Sequence, residues 1–555
     1  MGSSADPRLG PYFVETFTSE EMAVLERFFT NTTEPVFALV NLPEVVKGAL
    51  FARYSRSPKS VRRLFLDEFY DMPEVGMSLI AAELDGDETG LKMRRAEDLY
   101  ERVFTQYGDD SVAQLGGVHL ACEQASNILT KILEWGRIAS YLEQSTRYMF
   151  YDRPLGDRYR YAIPPEIAGT PLVGEYTSTM DSLFETYASL TGRLTGYYES
   201  LFPRSPGDSD FVYRSTIRAR VCDDLRGLLP AATLSNVGIY GSGQAYELLL
   251  LRMRAHPLSE VRAYADLMLT ELKKVIPAFL KRVEVPDRGG AWSNYLASTN
   301  SSMEDLAGRL GVACPPRPEV TLVEWDPDGE LKIAAAAMYQ YTDLPDDALL
   351  DWARSVPDSM ITDVLNRYVG VRENRRHKPG RAMERATYRF DILCDYGIFR
   401  DLQRHRMMTL EWQRLGTQHG YVTPDALIDL GEQSRWDSAM HRAADLHDRV
   451  AEALGTGLAQ YVVPLAYRIR FFMQMNAREA FHLLELRTGE GGHPGYRRVC
   501  QEMHRQIGDI AGHHRIAAAM RFIDYDDYGL GRLGTERRAS ARRAAAGVEE
   551  PGERD

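Results

Sequence analysis

Landmarks along this chain occur twice and in the same order, and that repetition constrains the fold more than any other feature. Residues 41–53 (NLPEVVKGALFAR) share a pattern of turn and small apolar residues with 326–338 (DPDGELKIAAAAM). Glu134-Trp-Gly-Arg-Ile-Ala-Ser140 is answered by Gln403-Arg-His-Arg-Met-Met-Thr409, and Arg226-Gly-Leu-Leu-Pro230 by Gln460-Tyr-Val-Val-Pro464. Tyr246-Glu-Leu-Leu-Leu-Leu-Arg252 is matched by Phe481-His-Leu-Leu-Glu-Leu-Arg487, and each arginine precedes a His-Pro pair, His256-Pro257 and His493-Pro494. Arg137 and Pro230 lie 93 residues apart, whereas Arg406 and Pro464 lie 58 apart, so one repeat carries insertions. A chain of 555 residues exceeds one ordinary core, so two tandem domains follow.

Turn and linker chemistry at Asp287-Arg-Gly-Gly290, Ser298–Ser302 and Pro315-Pro-Arg-Pro318 sets the join. The expected division is an N-terminal extension over 1–30, a first domain over 31–285, a linker over 286–318 and a second domain over 319–533. Residues 534–555 lack large apolar side chains and read as a disordered tail. Apolar stripes at helical spacing run through Ser126–Gln144, Ala245–Leu251, Tyr388–Phe399 and Phe471–Leu486. Val320–Trp325, the Asp326-Pro-Asp-Gly329 turn and Leu331–Met338 read as a hairpin. The fold class is α+β, dominated by helices, with a small antiparallel sheet in each half.

The formal charge of −13 argues against non-specific binding to nucleic acid, and arginines in pairs suit a small anionic ligand. Five scattered cysteines, Cys122, Cys222, Cys314, Cys394 and Cys500, form no CxxC pair and fit buried thiols in a reducing compartment. The opening MGSSADPRLG has neither a basic start nor an apolar run, and no apolar run reaches the ~18 residues of a membrane span. A cytoplasmic protein without membrane partners is expected. His504, His513 and His514 lie on an amphipathic stretch without acidic ligands beside them, so no metal is expected. Gly238-Ile-Tyr-Gly-Ser-Gly243 has no preceding strand signal and no acidic residue at dinucleotide spacing, and reads as a helix irregularity.

Two polar stretches carry chemistry. Arg404-His405-Arg406 follows an apolar run, and its guanidinium groups suit phosphate or a flavin edge, as they also suit a solvated helix end. Glu143-Gln-Ser-Thr-Arg-Tyr148 combines a carboxylate, a hydroxyl and an arginine that suit a nucleotide phosphate, or ordinary helix capping.

Together these stretches resemble the flavin-dependent thymidylate synthases, whose signature runs RHR, a short spacer, then E-x-S-x-R-Y. The first half keeps the rear of that signature in Arg137–Tyr148, with Trp135-Gly136 where Arg-His belong; the second keeps Arg404-His-Arg406 but lacks S-x-R-Y in register. Arg226 matches the family's phosphate-binding arginine before a Leu-Pro step, where the second half has Gln460. Asn476 and Arg478 match its flavin-side residues, and Arg252 and Arg487 its uracil-contacting arginine. The glutamate that the family places 20 positions before RHR falls on Glu384, while the first half has Leu115 beside Gln114.

The resemblance implies reductive methylation of dUMP with FAD as cofactor and NADPH and methylenetetrahydrofolate as co-substrates. It implies Glu143, Ser145, Arg147 and Arg226 on the nucleotide side, and Arg404, His405, Arg406, Glu384, Asn476 and Arg478 on the flavin side. Arg487 or Arg252 would polarise the pyrimidine. No cysteine lies in either signature element, so no thiolate is at hand for covalent attack. Because family members are homotetramers with sites at subunit junctions, the resemblance implies composite sites in a homodimer that forms a pseudo-tetramer. The alternatives are C5 modification of another pyrimidine nucleotide, or a non-catalytic nucleotide- or flavin-binding paralogue.

Overall fold

The computed structural model describes residues 7–70, 116–312, 315–545 and 547. The chain divides into two units, and each is discontinuous. Unit 1 comprises residues 1–190, 228–313 and 435–464; unit 2 comprises 191–227, 314–434 and 465–555. Each unit therefore takes a segment from the other sequence repeat.

Unit 1 is built on an antiparallel sheet in the order β1 (Val36–Leu39), β2 (Gly117–Ser126), β4 (Leu234–Ser242), β3 (Ala139–Glu143). Leu25, Phe28, Phe37, Leu50 and Phe65 pack a buried cluster against it. Gly238, expected in a helix, lies in β4, and it is glycine because a Cβ there would meet the Phe51 ring at 2.9 Å. Near the end of this strand set, Ala231 and Ala232 donate backbone bonds to Val463 and Tyr461, so both repeats' Leu/Val-Pro steps meet within this unit.

Unit 2 repeats the plan in the order β5 (Val320–Trp325), β6 (Thr387–Asp395), β8 (Arg468–Asn476), β7 (Thr409–Trp412). Its pseudo-equivalent bond runs from Ala466 N–H to the carbonyl of Gly227. The α+β class with two four-stranded antiparallel sheets is borne out.

Three expected helices are shorter than their apolar runs. In β6 the side chains of Tyr388, Phe390, Ile392 and Cys394 are buried and alternate with Arg389 and Asp391, a period of two that belongs to a strand. The helix starts only at Tyr396, where the Asp395 carboxylate accepts from the Ile398 N–H at 2.9 Å. Ile469, Phe471, Met473 and Met475 alternate likewise in β8, and the helix Ala477–Arg487 begins behind the Asn476 cap. The helix that starts at Asn127 ends at Leu133, and β3 follows.

The expected hairpin is also corrected: Gly329–Met338 is a helix, and β5 pairs with β6. Four consecutive alanines favour the helix, and the polar Asp326–Gly329 turn initiates it. The expected linker carries the helix Ala291–Ala307, and the helix Leu533–Ala545 runs into the expected tail, with Arg537 paired to Asp208 at 2.6 Å. Among the described residues no helix is long and apolar enough to cross a membrane. Leu115, Gln114 and Cys314 lie outside the described residues.

Candidate active site

In unit 2 the helix Tyr396–Leu402 ends in the turn that carries Arg404, His405 and Arg406, and β7 follows. His405 is buried, Arg406 half-buried and Arg404 exposed. The His405 ring sits between two groups. Its Nε2 accepts from Arg487 Nε–H at 2.9 Å, and its Nδ1 lies 3.2 Å from Glu479 Oε1. Because the arginine can only donate, the single ring proton must be on Nδ1, where Glu479 accepts it. Burial and the Arg487 guanidinium hold His405 well below the usual imidazole range, in keeping with a neutral ring.

The helix Ala477–Arg487 supplies the other members of this cluster. Asn476 caps it, its side-chain oxygen accepting from the Glu479 N–H at 2.9 Å, so this oxygen is committed to the backbone. Glu479 and His482 lie three residues apart on one face, and Arg487 closes the last turn. Burial pushes the Glu479 carboxyl up to about 7, opposed by Lys378 and Arg478. His482 is pushed down to about 4 by burial, with Lys378, Arg375 and Arg487 adding to it. Arg478 donates to the Pro379 carbonyl at 3.1 Å and to Glu384 at 3.3 Å. The flavin-side residues expected from sequence thus share one unit, and Glu384 is tied directly to Arg478.

His405, Glu479 and His482 bring potential metal-ligand atoms within 4.8 Å of one another. A cation is nevertheless poorly served there. The Nε2 of His405 already accepts from Arg487, and Arg478 and Lys378 add positive charge. His504 and His513 are bonded instead to Tyr525 and Tyr388, at 2.6 and 2.7 Å.

Arg226, from the first sequence repeat, belongs to unit 2. Its Nη1 donates to Asp401 at 3.0 Å, and it lies so close to Gly397 that a Cβ there would be 3.0 Å from its Nε. Its Nη2 is buried and has no hydrogen-bond partner among the described residues. Asp395, nearby, is pushed up to about 6 by burial, with Arg226 opposing. A buried guanidinium with an uncommitted donor can take an anionic oxygen. Sequence inspection missed Asp401, Asp395, Glu479 and His482; the Asn-Ala-Arg-Glu order at 476–479 was the available signal for Glu479.

The corresponding cluster in unit 1 is different. Trp135 lies under the Arg252 guanidinium, 5.0 Å from ring centre to Cζ. At Gly136, where the second repeat has His405, a Cβ would stand 2.4 Å from the Tyr141 hydroxyl. Glu143 is committed to a buried ion cluster, in which Lys131 Nζ reaches Glu134 at 2.6 Å and Glu143 at 3.1 Å. The Ser145 hydroxyl accepts from the Arg147 N–H at 3.2 Å, and Arg147 itself is buried. Glu143, Ser145 and Arg147 belong to unit 1, whereas Arg226, expected with them on the nucleotide side, belongs to unit 2.

The fold and these clusters define a duplicated α+β protein with one repeat's histidine-arginine site intact and the other's replaced. The chain belongs to the family described as thymidylate synthase complementing protein, whose model matches residues 72–278 and 321–511. It is 41% identical to a UPF0159 protein of Chlamydia muridarum over 529 residues, 95% of this chain and 99% of that protein. A UPF0159 protein of Thermoplasma acidophilum is 29% identical over 523 residues, 89% of this chain and 99% of that protein. A flavin-dependent thymidylate synthase of Clostridium tetani is 27% identical over 211 residues, 36% of this chain and 78% of that enzyme.

Proposed function

We propose that this chain is a flavin-dependent thymidylate synthase that methylates dUMP reductively at C5, using methylenetetrahydrofolate and NADPH. The observation that carries this reading is within unit 2: the buried, uncommitted Nη2 of Arg226 accompanies the linked Arg487–His405–Glu479 series. The family and the name of the Clostridium tetani relative support it.

The residues fit an FAD and an anionic nucleotide. Arg404, Arg406 and Arg478 would hold the flavin, whose ring gains negative charge on reduction and is served by cationic donors. Bound FAD would supply the hydride chemistry, which no amino-acid side chain provides. Arg226 would hold the nucleotide phosphate, with Ser145 and Arg147 as further nucleotide contacts. Arg487, aimed by its bond to His405, would stabilise charge building on the pyrimidine carbonyl. Glu479 positions His405 by accepting its Nδ1 proton. Burial pushes the thiols of Cys122, Cys394 and Cys500 up, in keeping with a route that uses no thiolate. The active form would be a homodimer of four repeats.

Modification of a different pyrimidine nucleotide is the second reading. It is favoured by the commitment of Glu143 to Lys131, which removes one expected nucleotide contact.

The visible spectrum of the purified protein with added FAD, followed by NADPH oxidation with dUMP, UMP or dCMP, tests both. A flavin band and folate-dependent dTMP formation are expected. A protein that binds no flavin sinks both readings. Turnover of UMP or dCMP, with dUMP inert, selects the second.

A further inference from the structure

Residues 374–378 form a tight turn ahead of β6. The His377 N–H donates to the Asn374 carbonyl at 3.1 Å, and the Arg376 N–H donates to the Asn374 side-chain oxygen at 2.9 Å. The turn is fixed from beneath. Arg372, buried, donates to the His377 carbonyl and grips Glu485 through two bonds of 2.7 and 2.5 Å, and Arg478 donates to the Pro379 carbonyl.

Flanking cations are matched: Arg372 to Glu485, Arg381 to Glu384, Arg385 to Asp346, Arg354 to Asp328 and Arg498 to Glu319. Arg375, Arg376 and Lys378 are exposed, and none forms an ion pair with a described carboxylate. Three like charges within four residues repel one another, in a chain whose formal charge is −13. Arg478, a flavin-side residue, donates to the carbonyl of Pro379 immediately after Lys378 at 3.1 Å, which sets the turn beside the candidate flavin cluster.

We propose that Arg375, Arg376 and Lys378 form a docking site for the anionic tail of a co-substrate, a phosphate monoester or a chain of carboxylates. The turn has the rigidity of a built site, because its backbone is held by residues that carry none of the recognising charge. A tail bound there would be gripped by point charges at the surface, so its affinity would fall steeply with salt. The inference rests on the proposed function, which offers two sources of such a tail: the 2′-phosphate of NADPH and the poly-γ-glutamate of a folate.

Calorimetric titration of the full chain at low ionic strength tests it, using 2′-AMP and tri-γ-glutamate as probes. One probe is expected to bind, and R375A/R376A/K378A is expected to weaken it about tenfold. The charge-preserving variant R375K/R376K/K378R is expected to stay within about threefold of the native protein. The probe that binds identifies the source of the tail. Neither probe binding the native protein, or equal binding to the native and alanine forms, overturns the proposal. An equal loss in the charge-preserving variant also overturns it. These measurements need no turnover, so a protein that methylates nothing but loses 2′-AMP binding in the alanine variant would sink the enzyme reading and leave this site standing.

Discussion

Glu479→Gln should stabilise the protein at alkaline pH and leave it nearly unchanged at pH 4.5. Glutamine keeps the shape, and its side-chain oxygen can still accept the Nδ1 proton of His405, now 3.2 Å from the carboxylate. What disappears is the ionisation. Burial raises this carboxyl in the folded state from 4.5 to about 7. Between those values the folded chain holds a proton that the unfolded chain has already released, so stability falls as pH rises through the window. Above pH 7 the full penalty stands. Two and a half pH units, at about 1.4 kcal/mol each, come to ~3.5 kcal/mol. The native protein should therefore lose ~3.5 kcal/mol relative to the variant between about pH 4.5 and pH 8. Urea unfolding of both proteins at several pH values, followed by tryptophan fluorescence, measures the difference. A gap that stays constant with pH would refute the reasoning, and one that grows toward acid would reverse its sign.

Arg226→Ala should weaken dUMP binding about 10- to 100-fold, as expected for a charge-assisted contact. Flavin absorbance should stay intact in Arg226→Lys, and calorimetry on both variants checks this; unchanged dUMP affinity in the alanine variant would contradict the assignment. Arg372→Met should cost about 3–5 kcal/mol by leaving Glu485 buried without its cation. The double variant R372M/E485M should regain most of that loss in urea unfolding, and no recovery would mean that the pair is not the cause. Gly136→Ala should cost about 1–3 kcal/mol through collision with the Tyr141 hydroxyl, and Tyr141→Phe in the same chain should relieve it, as thermal denaturation would show.

The duplication was legible because it depends on the order of landmarks, which insertions do not disturb. Secondary structure was less so. The runs Tyr388–Phe399 and Phe471–Leu486 each join a strand to a helix without a break in hydrophobicity, so a single stripe hid the change of period. Only the capping residues Asp395 and Asn476 mark the switch. The flavin-side residues were found because they cluster in sequence near two short motifs of the family resemblance, RHR and Asn-Ala-Arg. Lys131 and Asp401 were missed because an ion pair across a turn or between segments leaves no local pattern. The exchange of residues 191–227 and 435–464 between units was equally invisible, since nothing in a helical segment's composition says which unit it will pack with.

That exchange changes what a lesion means. Residues encoded in the first repeat complete unit 2, and residues encoded in the second complete unit 1. A gene divided at residues 286–318 would yield two polypeptides that each lack part of a fold, so they should complement one another in trans rather than function alone. Inheritance by repeat and damage by unit then part company. A substitution at Arg226 is written in the first repeat and is felt at the site of the second.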